Sequence, residues 1–356
     1  MSETFETTTE IVRRANTLLP PPIWDYVVGG AETETTVRRN RDALGSLAFR
    51  PRILRNVAEH DMSTTLLGTK LRMPYLLAPV GSLQSVTEDG AAASVRAAAS
   101  FGTLSVVSSV SQPGLEAAAA ASPVDKWFQL YIRGDAKWVD DTIARVEKAG
   151  YKALMLTVDT AHYSRRERQI IDRWVPPGRR LHADDGYQLS LDWESASRIK
   201  GRLKIPVGIK GIQTAEDAEI AIREGFDLVW VSNHGGRQLD HARAAVEVLP
   251  EVVSVVAGRV PIVVDGGFMR GTDILKAIAL GATAVGTGRL HALSLAAGGE
   301  AGLTRMLEIV EIELRTSMAL LGVTSLAQLD RSYVVNTTPV STPQVAFPFL
   351  LPEIRL

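Results

Sequence analysis

Between residues 75 and 287 the chain carries eight short runs rich in β-branched and apolar residues, nearly all followed by an alanine-rich amphipathic segment. That alternation is the pattern of repeated βα units feeding a parallel sheet, each helix burying one face of its neighbouring strands. The runs cover residues 75–79, 104–108, 127–131, 153–159, 206–210, 228–232, 261–265 and 283–287. Helical patterns lie at 89–100, 136–148, 215–224, 273–280 and 301–321. Eight units close a parallel sheet on itself, so an α/β fold of the TIM (β/α)8 barrel type is expected over residues 75–325. An open doubly wound sheet would usually place a GxGxxG turn after its first strand, and none stands there.

Two stretches at the ends fall outside the repeat, and with them the 356 residues are expected to form a single domain. Residues 1–74 read as a helical lead-in that caps the barrel: a helix over 8–18, then Pro20, Pro21 and Pro22, then an aromatic stretch ending in Gly29 and Gly30. Residues 326–356 form a tail whose apolar end, Phe347 to Leu351, suits packing on a neighbouring subunit or back on its own chain. Within the repeat, residues 171–205 mix Trp174, Pro176, Pro177, Gly178 and several charges with little periodicity. They are expected to form a long loop on the face where the strands end.

Composition removes several function classes. With no cysteine, disulfides, thiolate metal sites, iron–sulfur clusters and cysteine nucleophiles are excluded, and no metal site is expected. A net charge of -1 gives no field for nucleic acid or an anionic membrane surface. The first twenty residues lack the basic and apolar blocks of a signal peptide, and no apolar stretch is long enough to span a bilayer, so a cytoplasmic location is expected.

The chemistry sits at the C-terminal ends of the runs, where a barrel places its active site. Those ends supply Ser108, Gln129 with Tyr131, Thr157 with Asp159, Lys210, Ser232 with His234, and Asp265. A convergent set of hydroxyl, amide, lysine and histidine groups is what orients a polar ring system in an otherwise apolar pocket. The strongest local signal runs from Ser232 through Asn233, His234, Gly235, Gly236, Arg237 and Gln238 to Asp240. Here a histidine leaves a strand end, two glycines allow the backbone to approach a ligand, and a fixed cation follows three residues on.

With that run in place, the sequence resembles the FMN-dependent 2-hydroxy acid oxidase and dehydrogenase family, which includes glycolate oxidase, lactate oxidase, mandelate dehydrogenase and flavocytochrome b2. The resemblance covers nearly the whole chain. It is carried by Asp25-Tyr26, Gly30-Ala31-Glu32, Phe49-Arg50-Pro51-Arg52, Phe128-Gln129-Leu130-Tyr131, Thr157-Val158-Asp159-Thr160, Arg165-Arg166-Glu167, Lys210-Gly211, the His234 run, Asp265-Gly266-Gly267 and Gly288-Arg289.

The resemblance implies FMN as cofactor, held by Pro79, Val80 and Gly81 and by Ser108, Gln129, Thr157, Lys210 and Ser232. Lys210 would stabilise the negative charge of reduced flavin. The phosphate is expected near Asp265, Gly267, Arg270, Gly288 and Arg289, at the last two βα turns. Tyr26, Arg166 and Arg237 are implied for the substrate carboxylate, since a guanidinium fork grips it in two parallel hydrogen bonds. Tyr131 would lie beside the reacting hydroxyl. His234 would take a proton while two electrons reach flavin N5, with Asp159 orienting the imidazole and favouring its charged form. The partners implied are a small 2-hydroxy acid, oxygen or another electron acceptor, and further copies of the chain in a homotetramer or octamer. An isomerase-like FMN barrel and a non-catalytic flavin- or acid-binding barrel are the competing readings.

Three departures from the family pattern stand out. Met269 occupies a position where the family often has arginine. Gly81 stands where glycolate and lactate oxidases have alanine, and Val110 where glycolate oxidase has tryptophan. The last two enlarge the substrate pocket, pointing to a bulky or aromatic, mandelate-like (S)-2-hydroxy acid, although Tyr163 could refill part of the space.

Overall fold

The computed structural model describes residues 5–180 and 186–338. All eight expected strands form, each beginning or ending within about two residues of its sequence pattern: β1 Tyr75–Leu77, β2 Val106–Ser108, β3 Trp127–Leu130, β4 Ala153–Thr157, β5 Val207–Ile212, β6 Leu228–Val231, β7 Ile262–Val264 and β8 Ala284–Thr287. They make one eight-stranded sheet in which every pairing is parallel. The sheet closes where the Leu77 N–H donates to the Leu104 carbonyl at 2.9 Å and Leu77 bridges Ser105, joining β1 to β2. Helices Gly90–Phe101, Ala136–Lys148, Ala215–Arg223, Ala245–Val256 and Gly271–Ala279 follow their strands. The chain is a TIM barrel.

Strand periodicity divides the core into two parts. Leu154, Leu156, Val229 and Val231 point outward to the helices, while Ala153, Met155, Leu228 and Trp230 point inward. The interior cluster ends on Leu66 and Leu71 of a short hairpin, Thr64–Leu66 with Thr69–Leu71, which plugs the barrel floor. Bulk is matched by vacancy across the barrel: a Cβ on Gly286 would come within 2.7 Å of the buried Trp230 ring, and one on Gly208 within 2.6 Å of Met155 Sδ.

The lead-in folds as expected and then does more. Helix Thr8–Leu18 starts in a Thr7/Glu10 capping box, satisfying backbone N–H groups at both ends of the motif. Pro21 and Pro22 open helix Pro21–Val28, where a missing N–H costs nothing. Helix Thr35–Gly45 is capped from afar: the Asp240 carboxylate accepts from Thr36 N at 2.8 Å, Thr35 N at 3.3 Å and the Thr33 hydroxyl at 2.9 Å. Burial alone would raise Asp240, but those hydrogen bonds hold it at about 2. The end of the described chain is also tied down, Val334–Asn336 pairing antiparallel with Leu47–Phe49. Phe347 to Leu351 lie outside the described residues.

The long loop expected over 171–205 carries helical pieces that its sequence did not announce. Short helical turns form at Pro177–Arg180 and Gly186–Leu189, and a ten-residue helix at Trp193–Arg202. Asp192 caps that helix by accepting from Ser195 N, but only Ala196 and Ile199 are buried along it. Two buried positions leave almost no apolar stripe to read in the sequence.

The interior packing carries a stability prediction. Gly286→Ala should cost about 1–3 kcal/mol, because the indole of Trp230 cannot yield inside a closed barrel. Gly45→Ala, whose added Cβ meets nothing within 4 Å, serves as the control and should be near neutral. Chemical denaturation of both variants checks this, and equal midpoints would remove the packing argument.

Candidate active site

Barrel closure brings the expected polar strand ends to one mouth. Ser108 Oγ donates to Gln129 Oε1 at 2.8 Å across β2 and β3. Lys210 Nζ donates to Ser232 Oγ at 3.0 Å and pairs with Asp265 Oδ2 at 3.2 Å, while the Ser232 hydroxyl donates to Asp265 Oδ1. The Asp265 carboxylate is therefore engaged by Lys210 and Ser232, a different use from the phosphate contact expected of it. Pro79, Val80, Gly81, Lys210, Asp265, Gly267, Gly288 and Arg289 line one pocket together with Tyr26, Val110, Tyr131, Arg166, His234 and Arg237. Arg270 does not join them. Its guanidinium meets Glu313 on the long helix Arg289–Leu321, with Nη2 to Oε1 at 2.7 Å, which removes it from the pocket.

His234 is held from three sides. Its Nδ1 is 2.9 Å from Asp159 Oδ1, its Nε2 is 3.3 Å from the Tyr131 hydroxyl, and its backbone N–H donates to Ser232 Oγ at 3.0 Å. The residue sits at φ +56°, a left-handed conformation that costs a β-carbon residue about 1 kcal/mol and here aims the ring into the pocket. Burial lowers the His234 pKa by more than Asp159 raises it, with Lys210 and Arg166 adding to the fall. The imidazole is thus neutral at pH 7, with Nδ1–H directed at Asp159 and the unprotonated Nε2 facing the Tyr131 hydroxyl, rather than in the charged form expected from the carboxylate alone. Burial opposes ionisation of Asp159, but His234 and Lys210 outweigh it and keep the carboxylate below its usual range. Burial also pushes the Tyr131 phenol up, so it remains a donor.

Gly211 explains why lysine and glycine adjoin. It lies at φ +119°, and a Cβ there would fall 2.7 Å from Asp159 Cβ, so only glycine lets β5 pass the carboxylate. The glycines after His234 also allow close packing, and Gly235 lines the pocket. A Cβ on Gly236 would strike Val37 N at 2.6 Å, and one on Gly235 would meet Arg289 Nη1 at 2.9 Å.

Three guanidiniums converge beside this base. Arg237 Nη1 donates to Gly29 O at 2.9 Å and Val27 O at 3.3 Å. Arg289 donates to Val28 O, Gly29 O and Gly235 O at 2.8–3.1 Å. Arg166 donates to Tyr163 Oη at 3.0 Å and Gln238 Oε1 at 3.1 Å. Among the described residues none of the three pairs with a carboxylate. Burial and their neighbours lower Arg237 to about 10 and Arg289 to about 9, so both stay charged at pH 7 and raise the local potential.

Several contacts of this site have no sequence signal, including those made by Gln238 and Asn233 of the His234 run. Gln238 holds Arg166, and Asn233 exchanges amide hydrogen bonds with Asn40 at 2.8 and 3.0 Å, fixing the lead-in to the His234 turn. Gln188, buried in the stretch after β4, accepts from Ile132 N at 2.7 Å and donates to Thr157 O at 3.0 Å. Gly178 N donates to Ser82 Oγ at 3.0 Å. These contacts clasp the segment over the mouth, and they are long-range pairings that no local pattern encodes.

Among the described residues, the buried polar atoms at the mouth without a hydrogen-bond partner include Asp159 Oδ2 and, on the adjacent strands β3 and β4, Gln129 Nε2 and Thr157 Oγ1. Such groups cost stability unless a ligand satisfies them, and a donor with a hydroxyl suits the polar edge of a flavin. The uncompensated Arg289 beside Gly267 and Gly288 suits a phosphate in the same way. The family model for FMN-dependent dehydrogenase matches residues 15–336. The chain belongs to that family. It is 40% identical to glycolate oxidase 1 of Zea mays over 340 residues, covering 89% of this chain and 92% of that one, and 39% identical to glycolate oxidase of Spinacia oleracea. Among solved structures it is similar to mandelate oxidase with 3,3-difluoro-2-hydroxy-3-phenylpropionic acid, at TM-score 0.88 and 35% identity over 94% of this chain and 100% of that one. It is similar also to the G81A mutant of an active chimera of (S)-mandelate dehydrogenase, at TM-score 0.88 and 32% identity, with 93% and 99% covered. The protein is an FMN-dependent 2-hydroxy acid oxidoreductase. Among the described residues no helix is long and apolar enough to cross a membrane.

The orphaned hydroxyl tests the cofactor fit without turnover. Thr157→Val removes one unsatisfied buried group while keeping shape, so the apoprotein should melt no lower than wild type. FMN affinity should fall about 3–10-fold, the worth of one hydrogen bond. Flavin fluorescence titration beside apoprotein thermal melts measures both; weaker melting with unchanged affinity would refute the assignment.

Proposed function

We propose that the substrate is an (S)-2-hydroxy acid with a bulky or aromatic side chain, oxidised to the 2-oxo acid with His234 as base. The observation that carries this reading is the pair of buried guanidiniums of Arg166 and Arg237, without a carboxylate partner among the described residues, beside the unprotonated His234 Nε2. An anion seated between two cations relieves their mutual repulsion, and a bidentate grip on a carboxylate fixes the adjacent carbon in front of the base. His234 Nε2 takes the proton, Asp159 stabilises the imidazolium, and the protonated Tyr131 hydroxyl donates to the oxygen that becomes the carbonyl. Bound flavin accepts the two electrons. In this reading Ser108, Gln129, Thr157, Lys210 and Ser232 hold the flavin ring, Pro79, Val80 and Gly81 back it, and Gly267, Gly288 and Arg289 take the phosphate.

The side-chain preference rests on Gly81 and Val110. Both line the pocket next to Tyr26, whose hydroxyl donates to Gly81 O at 2.8 Å. The two positions are coupled, since a Cβ on Gly81 would approach Val110 Cγ2 at 2.9 Å. Gly178 packs over Val110, where its own Cβ would lie 2.5 Å from Val110 O, so the segment after β4 takes part of the room that valine leaves. The remaining space supports an aryl group. Curated relatives named for glycolate and structural neighbours named for mandelate flank this choice on either side.

His234→Asn should retain FMN and lose roughly 10²-fold or more in flavin reduction. In the wild type, kcat/KM should fall tenfold per pH unit only below an inflection lying under 6.5, the ordinary histidine value, because burial favours the neutral base. Anaerobic stopped-flow across pH reads both, and an inflection above 6.5 would contradict the neutral-base assignment.

For specificity, (S)-mandelate should exceed glycolate by about thirtyfold in kcat/KM, from roughly 2 kcal/mol of buried ring area. Gly81→Ala should narrow that ratio by pressing on Val110. A wild-type preference for glycolate would overturn the bulky-substrate reading and leave the enzyme class standing.

A further inference from the structure

Tyr163 stands between two cavities. Tyr163, Arg166, Pro176 and Arg179 line the substrate pocket and also a neighbouring groove of about 480 Å³. Beyond them the groove's apolar wall is Ile170, Trp174 and Val175, with Ile170 and Val175 each 40% exposed, and Ser164, Arg165, Gln169 and Arg173 complete its lining. Trp174 in turn packs on Tyr26 at a ring separation of 5.0 Å, which joins the groove wall to the substrate side of the pocket. The Tyr163 ring is fixed in place by two stacked guanidiniums, Arg166 Cζ at 4.2 Å and Arg179 Cζ at 3.9 Å from its centroid. Its hydroxyl accepts from Arg166 Nη1 at 3.0 Å and donates to Gln169 Oε1 at 2.9 Å.

We propose that Tyr163 is a specificity wall: its ring sets the length limit of the substrate side chain, and the apolar groove behind it receives the tail of longer 2-hydroxy acids once the ring is removed. The inference rests on the carboxylate being held by Arg166 and Arg237 as above. From that anchor the side chain points to a pocket bounded on this side by the Tyr163 ring, with the neighbouring groove directly behind it. Because Arg166 both grips the carboxylate and stacks on Tyr163, the wall stands at a fixed distance from the reacting carbon. Each methylene that enters the groove is worth roughly fourfold in affinity.

The test compares 2-hydroxyoctanoate with 2-hydroxybutanoate in FMN-loaded wild type, Tyr163→Ala, Tyr163→Leu and Tyr163→Phe. Anaerobic flavin reduction gives kcat/KM, and perturbation of flavin absorbance by 2-oxooctanoate and 2-oxobutanoate gives Kd without turnover. The long-to-short ratio cancels any loss common to both acids, including a shifted Arg166 or reduced FMN content. It should rise about tenfold or more in Tyr163→Ala, rise less in Tyr163→Leu and stay at the wild-type value in Tyr163→Phe. An unchanged ratio in both Tyr163→Ala and Tyr163→Leu overturns the wall, as does a wild type that already takes both acids equally. Should Tyr163→Ala not fold, Tyr163→Leu decides. If no 2-hydroxy acid reduces the wild type, the substrate reading fails separately, and the Kd ratio still decides whether Tyr163 limits length.

Discussion

Burying Arg237 and Arg289 without a carboxylate is tolerable only because the C-terminal end of helix Pro21–Val28 supplies its last carbonyls. Val27, Val28 and Gly29 carry orphan acceptors at the negative end of a helix dipole, and both guanidiniums cap them. One set of contacts therefore finishes a helix, fastens the lead-in to the barrel mouth and keeps two cations in a dry site. A carboxylate partner would have cancelled their charge. Neutral carbonyls satisfy the N–H groups and leave the positive potential for a ligand, a distinction that decides whether the site binds anions.

The base depends on the same economy of partners. Asp159 would hold His234 charged if both were solvated, yet burial reverses the balance and leaves the imidazole neutral. The nearby cations Lys210 and Arg166 push in the same direction, so the groups suited to bind anions also keep the base free to accept a proton. Lys210 itself is partly neutralised by Asp265, which places the strongest uncompensated charge on the arginines.

Much of the site was legible because it obeys short-range rules. Ser108, Gln129, Thr157, Lys210 and Ser232 follow apolar runs by a fixed strand length, and the His234 run is contiguous. Arg270 misled because an arginine beside a glycine turn carries no mark of where it points, and Glu313 lies 43 residues away. Gln188 and Asn40 were invisible for the related reason that a polar side chain on a helix or helical turn looks alike in sequence whether it is solvated or buried against a distant segment. The helix Trp193–Arg202 was missed because two buried residues do not make a periodic stripe.

By itself the sequence determined the barrel, since eight short apolar runs alternating with amphipathic helices, with no GxGxxG turn after the first, bury their apolar faces best in a closed parallel sheet. It determined also which residue types reach the mouth, because side chains at strand ends have only one place to go. Tertiary structure alone decided the protonation of His234, the lack of acidic partners for Arg166 and Arg237 among the described residues, the coupling of Gly81 to Val110, and the position of Tyr163 between two cavities. Each of these depends on distances between segments far apart in the chain, and electrostatic and packing energies are set by such distances rather than by residue identity.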